Sequence, residues 1–183
     1  MRLTLEDSVV LLIDWQEKLL HAMLEEERQT AQHNASILLK AASELGVPVI
    51  ATEQYPQGLG PTALTLRALL SSETARIAKT EFSAVAVPEV NEALEATGRK
   101  HVILLGMETH ICVWQTARDL LDSEYAVSVV ADAVLSRAPA NRDIGLRLME
   151  TAGATVRSTE TIVFEWIGGA THPGFKSISR LVR

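Results

Sequence analysis

Residues 102–117 have the sequence V-I-L-L-G-M-E-T-H-I-C-V-W-Q-T-A, an apolar run that leads into a segment holding the only cysteine of the chain. The run at 102–105 is too short for a helix, so it predicts a central strand that is covered on both faces. Gly106 is expected to end this strand, and Thr109 to cap a following helix. Cys112 then lies in the first turn of that helix.

The predicted position of Cys112 suits a nucleophile. A free thiol has a pKa of about 8.5, and the unpaired N–H groups at a helix N-terminus favour the thiolate and so lower that pKa. A single cysteine in an intracellular chain is more often a small buried hydrophobic residue. A catalytic role for Cys112 therefore needs support from residues elsewhere in the chain.

Length and composition predict one globular domain spanning residues 1–183. With 47% hydrophobic residues, a chain of 183 residues can bury a sizeable core. One cysteine excludes an internal disulfide bond. The apolar run between Asp7 and Asp14 is too short for a signal peptide, so we expect a cytoplasmic protein.

The charge balance disfavours nucleic acid as a partner. The chain has 17 Lys and Arg residues against 23 Asp and Glu residues, which gives a formal net charge of -6. A negative chain lacks the attraction to phosphate groups on which nucleic-acid-binding proteins depend. We expect a small-molecule substrate and neither a nucleic acid nor a membrane partner. The basic residues near the C-terminus are assigned no function: Lys176, Arg180 and Arg183.

Buried apolar runs alternate with helical stretches along the chain. This alternation predicts a parallel sheet covered by helices on both faces, a three-layer α/β/α architecture. The helical region that ends at Leu45-Gly46 is expected to contain two helices meeting near Asn34, and the Gly- and Pro-rich loop at 53–61 to lack regular structure. The six predicted strands lie at 8–13, 47–52, 75–78, 102–105, 126–131 and 154–157. Further helices are predicted at 63–70, 88–98 and 139–152, with a short helix and a tail at the C-terminus.

Three reactive residue types follow predicted strands. Asp14, Lys79 and Cys112 each fall at or just after the carboxyl end of a strand, and parallel sheets bind their ligands at that edge. A carboxylate near a lysine can take the proton of a cysteine and return it to a leaving group. Taken singly, Asp14 could cap a helix and Lys79 could be a surface charge, so their convergence carries the hypothesis.

Three segments resemble the signature motifs of the isochorismatase-like cysteine hydrolase superfamily. They are I-D-W-Q at 13–16, K-T-E-F-S-A at 79–84 and G-M-E-T-H-I-C-V-W-Q-T-A at 106–117. The resemblance implies a Rossmann-like sheet of order 3-2-1-4-5-6. It also implies that Asp14, Lys79 and Cys112 form a catalytic triad.

The same resemblance implies how the reaction would proceed. A cis peptide bond between Met107 and Glu108 would aim the backbone N–H groups of Glu108 and Cys112 at one point, forming an oxyanion hole. Asp14 would deprotonate Cys112, and the thiolate would attack a carbonyl carbon. A thioester would form and then be hydrolysed by water.

Departures from the family pattern narrow the expected chemistry. Nicotinamidases in this superfamily bind a metal through an aspartate and histidines after the second strand, but here the stretch T-E-Q-Y-P-Q-G-L-G at 52–60 contains neither. We therefore predict no metal and no other cofactor. Enol-ether hydrolases of this family do not need the cysteine, so the presence of Cys112 argues against that activity. The loop at 52–60 resembles the isochorismatase-domain-containing subgroup, whose substrates are poorly defined.

Aromatic and polar residues near the triad are the candidates for substrate contacts. Because many of the few aromatic residues lie close to the triad in sequence, the expected substrate is small with a flat or apolar face. His110 could also form a rival dyad with Cys112, although two residues apart on a helix they point in different directions. The substrate-binding candidates are Trp15, Gln16, Gln54, Tyr55, Phe82, Thr109 and His110, and Trp114 could line either the pocket or an interface.

The sequence thus favours a cysteine-dependent hydrolase of a C–N bond in a small amide or related acyl compound. Two other readings stay open: a non-catalytic binding or scaffold protein on the same fold, and an enol-ether hydrolase. Homo-oligomerisation as a dimer or tetramer is expected from the family. Apolar positions on one predicted helix agree with it but equally suit a core: Ile144, Leu148 and Met149.

Overall fold

The computed structural model describes residues 2–183 and contains, within that range, one sheet of six strands. The strands are all parallel and lie in the order β3-β2-β1-β4-β5-β6, so the predicted architecture and strand order are confirmed. β1 and β4 occupy the centre. The strands are β1 (Ser8–Ile13), β2 (Val49–Gln54), β3 (Ala75–Lys79), β4 (His101–Met107), β5 (Ala126–Leu135) and β6 (Thr155–Arg157).

Helices cover both faces of the sheet. None of those found in residues 2–183 has the length and apolar character needed to cross a membrane. A short 3-10 turn at Ala84–Ala86 and a π-type turn at Thr109–Val113 complete the regular structure. The helices are α1 (Glu17–Leu20), α2 (Glu25–Leu45), α3 (Pro56–Leu59), α4 (Leu64–Arg67), α5 (Pro88–Thr97), α6 (Trp114–Asp122), α7 (Pro139–Ala152), α8 (Thr159–Ile167) and α9 (Phe175–Leu181).

The central strand β1 shows why the sequence forms this sheet. Its side chains alternate between the two faces, and all of them are buried. Val10 and Leu12 pack in the cluster that contains residues of α2 and α8, whereas Val9 and Leu11 pack in the cluster that contains residues of α5 and α6. A strand buried on both faces has a continuous apolar sequence, which made β1 and β4 recognisable.

The helical region before β2 is divided at a different place from the one predicted. Helix α2 runs unbroken through Asn34, and the interruption lies at residues 21–24 between α1 and α2. Asn34 is tolerated inside the helix because its Nδ2 donates to the Asp132 carbonyl oxygen at 3.0 Å. The predicted end of the helix is correct, with Gly46 at a φ of 71° in the left-handed conformation.

Gly106 lies inside β4, so the prediction that it ends the strand was wrong. It pairs with Ile13 of β1 at a φ of 128°. A Cβ atom at this position would lie 2.0 Å from the Ile13 carbonyl oxygen. Glycine therefore allows β4 to continue in close contact with the end of β1, immediately before Asp14.

Three other predicted segments have different bounds. β5 extends to Leu135, because after an irregularity in register it pairs again with β4 at Gly106 and Met107. The loop at 53–61 contains the short helix α3, for which Pro56 supplies a favourable first residue. The C-terminal segment forms two helices, α8 and α9, where one short helix was predicted.

Candidate active site

Asp14 and Lys79 meet at the carboxyl edge of the sheet. Asp14 directly follows β1, and Lys79 is the last residue of β3, two strands away. The Lys79 Nζ lies 2.7 Å from Asp14 Oδ2, and neither side chain is exposed to solvent. The parallel arrangement of the strands thus brings together two residues that are distant in the sequence, and they form a buried ion pair.

The Asp14 carboxylate is oriented by the neighbouring strand β2. Its Oδ1 accepts a hydrogen bond from Thr52 Oγ1 at 2.7 Å, and its backbone N–H donates to the Thr52 carbonyl oxygen at 3.2 Å. Asp14 itself has a φ of 48°. Thr52 is thus a further residue of the site, and its position in the carboxyl half of a predicted strand was a usable signal.

The Lys79 ammonium group is surrounded by oxygen atoms. Besides Asp14, Nζ donates to Gln54 Oε1 at 2.6 Å and to the carbonyl oxygens of Glu81 and Phe82 at 3.0 and 3.2 Å. An ammonium group has three donors, so these three hydrogen bonds use its full capacity, and Asp14 is held as the ion-pair partner. Lys79 therefore holds Asp14 in position and has no donor left over for a second anion.

Gln16 and Gln54, which were predicted as polar contacts to a substrate, brace the site through hydrogen bonds of their side chains. The Gln16 amide donates to the carbonyl oxygens of Gln54 and Gly60 and accepts from the Gln54 N–H at 2.8 Å. Gln54 accepts from Lys79 and donates to the Thr80 carbonyl oxygen at 2.8 Å. Their hydrogen bonds thus connect the end of β1 to the ends of β2 and β3.

Cys112 lies in the π-type turn after β4, buried with 7% of its surface exposed. Glu108, in place of the predicted Thr109, takes the N-cap position, and its carbonyl oxygen accepts the N–H groups of Ile111 and Val113. Thr109 is fully buried inside the turn, and within the described residues its hydroxyl has no hydrogen-bond partner. The prediction that Thr109 caps an α-helix was therefore wrong.

The Met107–Glu108 peptide bond is cis. The Glu108 side chain points toward the segment after β5, where its carboxylate accepts the Arg137 backbone N–H at 3.0 Å. The Arg137 Nε lies 3.5 Å from the same carboxylate. These contacts attach the turn that carries Cys112 to the segment that joins β5 and α7.

The environment of Cys112 raises the pKa of its thiol to about 12, opposite to the expected lowering by a helix N-terminus. Burial is the largest cause, followed by the negative charge of Asp14. Lys79 and a hydrogen bond from the Glu108 backbone act in the opposite direction. The resting cysteine is thus a protonated thiol beside a carboxylate that can accept its proton.

The aromatic candidates separate into two groups. Tyr55 and Phe82 are about half exposed, at 55% and 53%. The Tyr55 N–H donates to the Lys79 carbonyl oxygen, and the Phe82 carbonyl oxygen accepts from Lys79 Nζ. Tyr55 and Lys79 line a cavity of about 190 Å³. Trp15 is fully buried in the cluster on the other side of the sheet from Cys112, so it is not brought to the thiol. Trp114 is partly buried against the cluster that contains Cys112.

His110 makes its contacts with the β5–α7 region and does not form a dyad with Cys112. Its Nδ1 lies 2.9 Å from Ser136 Oγ, and its Nε2 lies 3.5 Å from Asn141 Nδ2.

One more polar residue of the site lies in the K-T-E-F-S-A motif and was not among the predicted site residues. Ser83 is buried, and its hydroxyl lacks a hydrogen-bond partner in the described part of the chain.

No group of three or more His, Cys, Asp or Glu side chains in residues 2–183 is arranged to hold a metal ion. The chemistry available to the site from its own residues is proton transfer between a thiol and a carboxylate, with backbone donors nearby. Such a site can support nucleophilic attack by sulfur.

Comparison with known proteins places this site in a family. The isochorismatase domain model matches residues 8–161. Isochorismatase domain-containing protein 2 from Bos taurus is 42% identical over 177 residues, which cover 96% of this chain and 83% of the relative.

Solved structures agree with the sequence comparison. The MAR1 ribonuclease from Caenorhabditis elegans has a TM-score of 0.93 and 36% identity, covering 100% of this chain and 92% of its own. YcaC from Pseudomonas aeruginosa, solved with hexane-2,5-diol and covalent acrylamide, has a TM-score of 0.88 at 27% identity and covers 97% and 89% of the two chains. YcaC from Escherichia coli, described as an octameric hydrolase of unknown specificity, has a TM-score of 0.93 at 26% identity and covers 99% and 89%. The chain belongs to the isochorismatase family, whose relatives share its fold over nearly its whole length.

Proposed function

We propose that this chain is a cysteine hydrolase that cleaves a C–N bond in a small amide or related acyl compound. The observation that carries the proposal is the buried Asp14–Lys79 ion pair beside a protonated Cys112 thiol. A thiol with a pKa near 12 is a poor nucleophile unless its proton is removed during attack, and Asp14 is the carboxylate whose charge acts on this thiol.

In the first half of the reaction, a bond forms between Cys112 Sγ and the carbonyl carbon of the substrate. The thiol proton passes to Asp14 and then to the amine nitrogen as the C–N bond breaks. In the second half, water attacks the thioester carbon, and Asp14 takes a proton from the water and returns it to the sulfur. Lys79 keeps the Asp14 carboxylate in place throughout.

Backbone donors would stabilise the negative charge that develops on the carbonyl oxygen. The Glu108 backbone hydrogen bond lowers the pKa of Cys112, which is the effect of a donor directed at the sulfur. We assign the oxyanion hole to the N–H groups of Glu108 and Cys112. Removing one such donor in other enzymes costs on the order of 10² to 10³ in rate.

A related protein binds a small amide covalently, which agrees with the proposed class of substrate. The Pseudomonas aeruginosa YcaC structure contains covalent acrylamide, a small amide with a double bond to which thiols add. Tyr55 and Phe82, which are exposed beside Lys79, would contact a small substrate with an apolar face.

We also propose that the chain forms a homo-oligomer. Ile144 and Leu148 are 44% and 40% exposed on one face of α7 and could be covered by another copy, whereas Met149 is fully buried in the core. The E. coli YcaC relative is described as octameric, so the expected range of subunit numbers extends beyond a dimer or tetramer. Light scattering during gel filtration measures the subunit number.

The first experiment compares wild type with Cys112→Ala and Cys112→Ser on a panel of small primary amides and N-carbamoyl compounds. We expect turnover of at least one class, and a loss on the order of 10³-fold or more in both variants. Thermal unfolding controls for the fold. Amide hydrolysis that survives in Cys112→Ala would refute the proposal.

Two further assays separate the alternatives. Cleavage of isochorismate by both wild type and Cys112→Ala would indicate an enol-ether hydrolase. Because the C. elegans structural relative is called a ribonuclease, a labelled RNA substrate is included. If extensively purified wild-type protein still cleaves RNA and hydrolyses no amide, the proposed function is wrong and the chain is a ribonuclease.

A further inference from the structure

Ser83 is a buried hydroxyl residue with an unexplained polar atom. It is 5% exposed, and among residues 2–183 no atom accepts from or donates to its Oγ. Ser83 precedes the turn at Ala84–Ala86 but its side chain does not cap that turn. Buried polar groups nearly always have a hydrogen-bond partner, because an unpaired one costs free energy.

The residues on both sides of Ser83 are hydrogen-bonded to Lys79 and to Thr116. The carbonyl oxygen of Phe82 accepts from Lys79 Nζ at 3.2 Å, and the N–H of Ala84 donates to Thr116 Oγ1 at 2.9 Å. Thr116 lies four residues after Cys112, one helical turn further along. Ser83 is therefore held between the Lys79 ammonium and the segment that carries the nucleophile.

The other unpaired hydroxyl of the site, Thr109, is in a different position. Its backbone packs against α7, where a Cβ atom on Gly145 would lie 2.9 Å from the Thr109 carbonyl carbon. Thr109 is also fully buried, whereas Ser83 retains a small exposed fraction. Ser83 is thus the better placed of the two to meet a molecule that enters the site.

We propose that the Ser83 hydroxyl hydrogen-bonds the departing amine of the substrate and then the water that replaces it. This inference rests on the proposed function. When the C–N bond breaks, the proton comes from Cys112 through Asp14, and Ser83 only accepts an N–H of the amine. When water attacks the thioester carbon, Asp14 takes one proton of the water and gives it to the Cys112 sulfur as the C–S bond breaks, and the Ser83 oxygen orients the water by accepting a hydrogen bond from its other O–H.

This role predicts that the two halves of the reaction respond differently with p-nitrophenyl acetate. The p-nitrophenolate group leaves without taking up a proton, so acylation of Cys112 does not require Ser83. Hydrolysis of the acetyl-enzyme requires the oriented water. In Ser83→Ala, we expect acylation within about twofold of wild type and deacylation slower by about tenfold, the equivalent of one hydrogen bond.

The experiment measures p-nitrophenolate release with enzyme in excess, and follows decay of the acetyl-enzyme by intact-protein mass spectrometry. Ser83→Thr, which restores a hydroxyl, is expected to recover most of the deacylation rate, and Ser83→Gly to behave like Ser83→Ala. Ser179→Ala is the matched control, because Ser179 also has a buried hydroxyl without a partner in the described chain but lies on α9. We expect it to alter neither step.

Each other outcome has a defined meaning. Equal slowing of both steps in Ser83→Ala and Ser83→Gly, or no change in either, overturns the role of Ser83 while leaving the thiol mechanism intact. Unchanged acylation in Cys112→Ala instead refutes the proposed function itself. Thermal unfolding of all variants identifies any that lose activity by losing the fold.

Discussion

The two ends of the sheet both bury polar side chains, but they use them differently. At the carboxyl edge, Lys79 and Asp14 form an ion pair next to Cys112, and the surrounding charges and burial keep the thiol protonated. Toward the amino edge, Arg157 donates to Ser128 Oγ at 2.6 Å and lies 3.2 Å from a carboxylate oxygen of Glu165.

The amino-edge network, defined here as His101, Ser128, Arg157 and Glu165, connects separate elements of the fold. Ser128 also lies 2.8 Å from His101 Nε2, and Glu165 accepts the backbone N–H of Leu3 at 3.3 Å. These contacts join β4, β5, β6, α8 and the N-terminal segment. The difference teaches that a buried charge near a thiol changes the reactivity of that thiol, whereas the Arg157–Glu165 ion pair, which lies away from Cys112, contributes to stability.

The largest expected effect is that of Lys79→Met at the carboxyl edge. Leaving the Asp14 carboxylate buried and unpaired is expected to destabilise the protein by about 3 to 5 kcal/mol and to abolish turnover. Urea unfolding and an amide assay measure the two effects. The double variant Asp14→Asn/Lys79→Met should recover much of the stability and no activity. Retained turnover in Lys79→Met would show that the ion pair is only structural.

Arg157→Met tests the amino-edge network in the same way. It leaves Ser128 and the partly exposed Glu165 without their guanidinium partner, so we expect a loss of about 1 to 3 kcal/mol in the free energy of unfolding. The turnover number of the folded protein should stay within about twofold of wild type, because the network lies away from the reacting atoms. A fall in turnover without a loss of stability would contradict the division between the two edges.

Asp14→Asn tests whether the Asp14 charge at the carboxyl edge raises the pKa of the Cys112 thiol. Removing the negative charge is expected to lower this pKa from about 12, while turnover is lost because no base remains. Since the chain has one cysteine and two tyrosines, the difference between each ultraviolet pH titration and that of the same protein carrying Cys112→Ala removes the tyrosinate absorbance and reports the thiolate alone. Lys79→Met is the control, because it removes a positive charge that lowers the pKa of Cys112, so this variant should not lower that pKa. An unchanged pKa in Asp14→Asn would exclude a direct contact between the carboxylate and the thiol.

The smallest expected effect concerns His101 and acid. Burial and the nearby Arg157 charge lower the pKa of His101 below its ordinary value of 6.5, against smaller raising effects of Asp7 and Glu165. The unfolded chain therefore binds the proton first, and stability is lost as the pH falls from about 6.5 toward the lower folded pKa. Urea unfolding at about pH 7.5 and about pH 5.5 should show a smaller acid loss in His101→Gln than in wild type. An equal loss in both proteins would mean that other groups cause the acid sensitivity.

Much of the fold could be read from the sequence because the central strands are buried on both faces. The runs that became β1 and β4 are continuous and apolar, and they led directly to Asp14 and Cys112. The prediction failed where long-range contacts override local signals. Asn34 stays helical because of its bond to the Asp132 carbonyl, and Gly106 stays in a strand because it pairs with Ile13.

The sequence by itself determined the order of strands and helices, the family, and the three residue types that meet at the carboxyl edge. Continuous apolar runs and the spacing of motifs are properties of the sequence itself, so they can be recognised before the structure is known. Only the tertiary structure decided that Gln16 and Gln54 brace the ion pair, that Ser83 is buried without a partner, and that the Cys112 thiol is protonated at rest. Hydrogen-bond partners and desolvation depend on side chains from distant strands, and folding is what brings those side chains together.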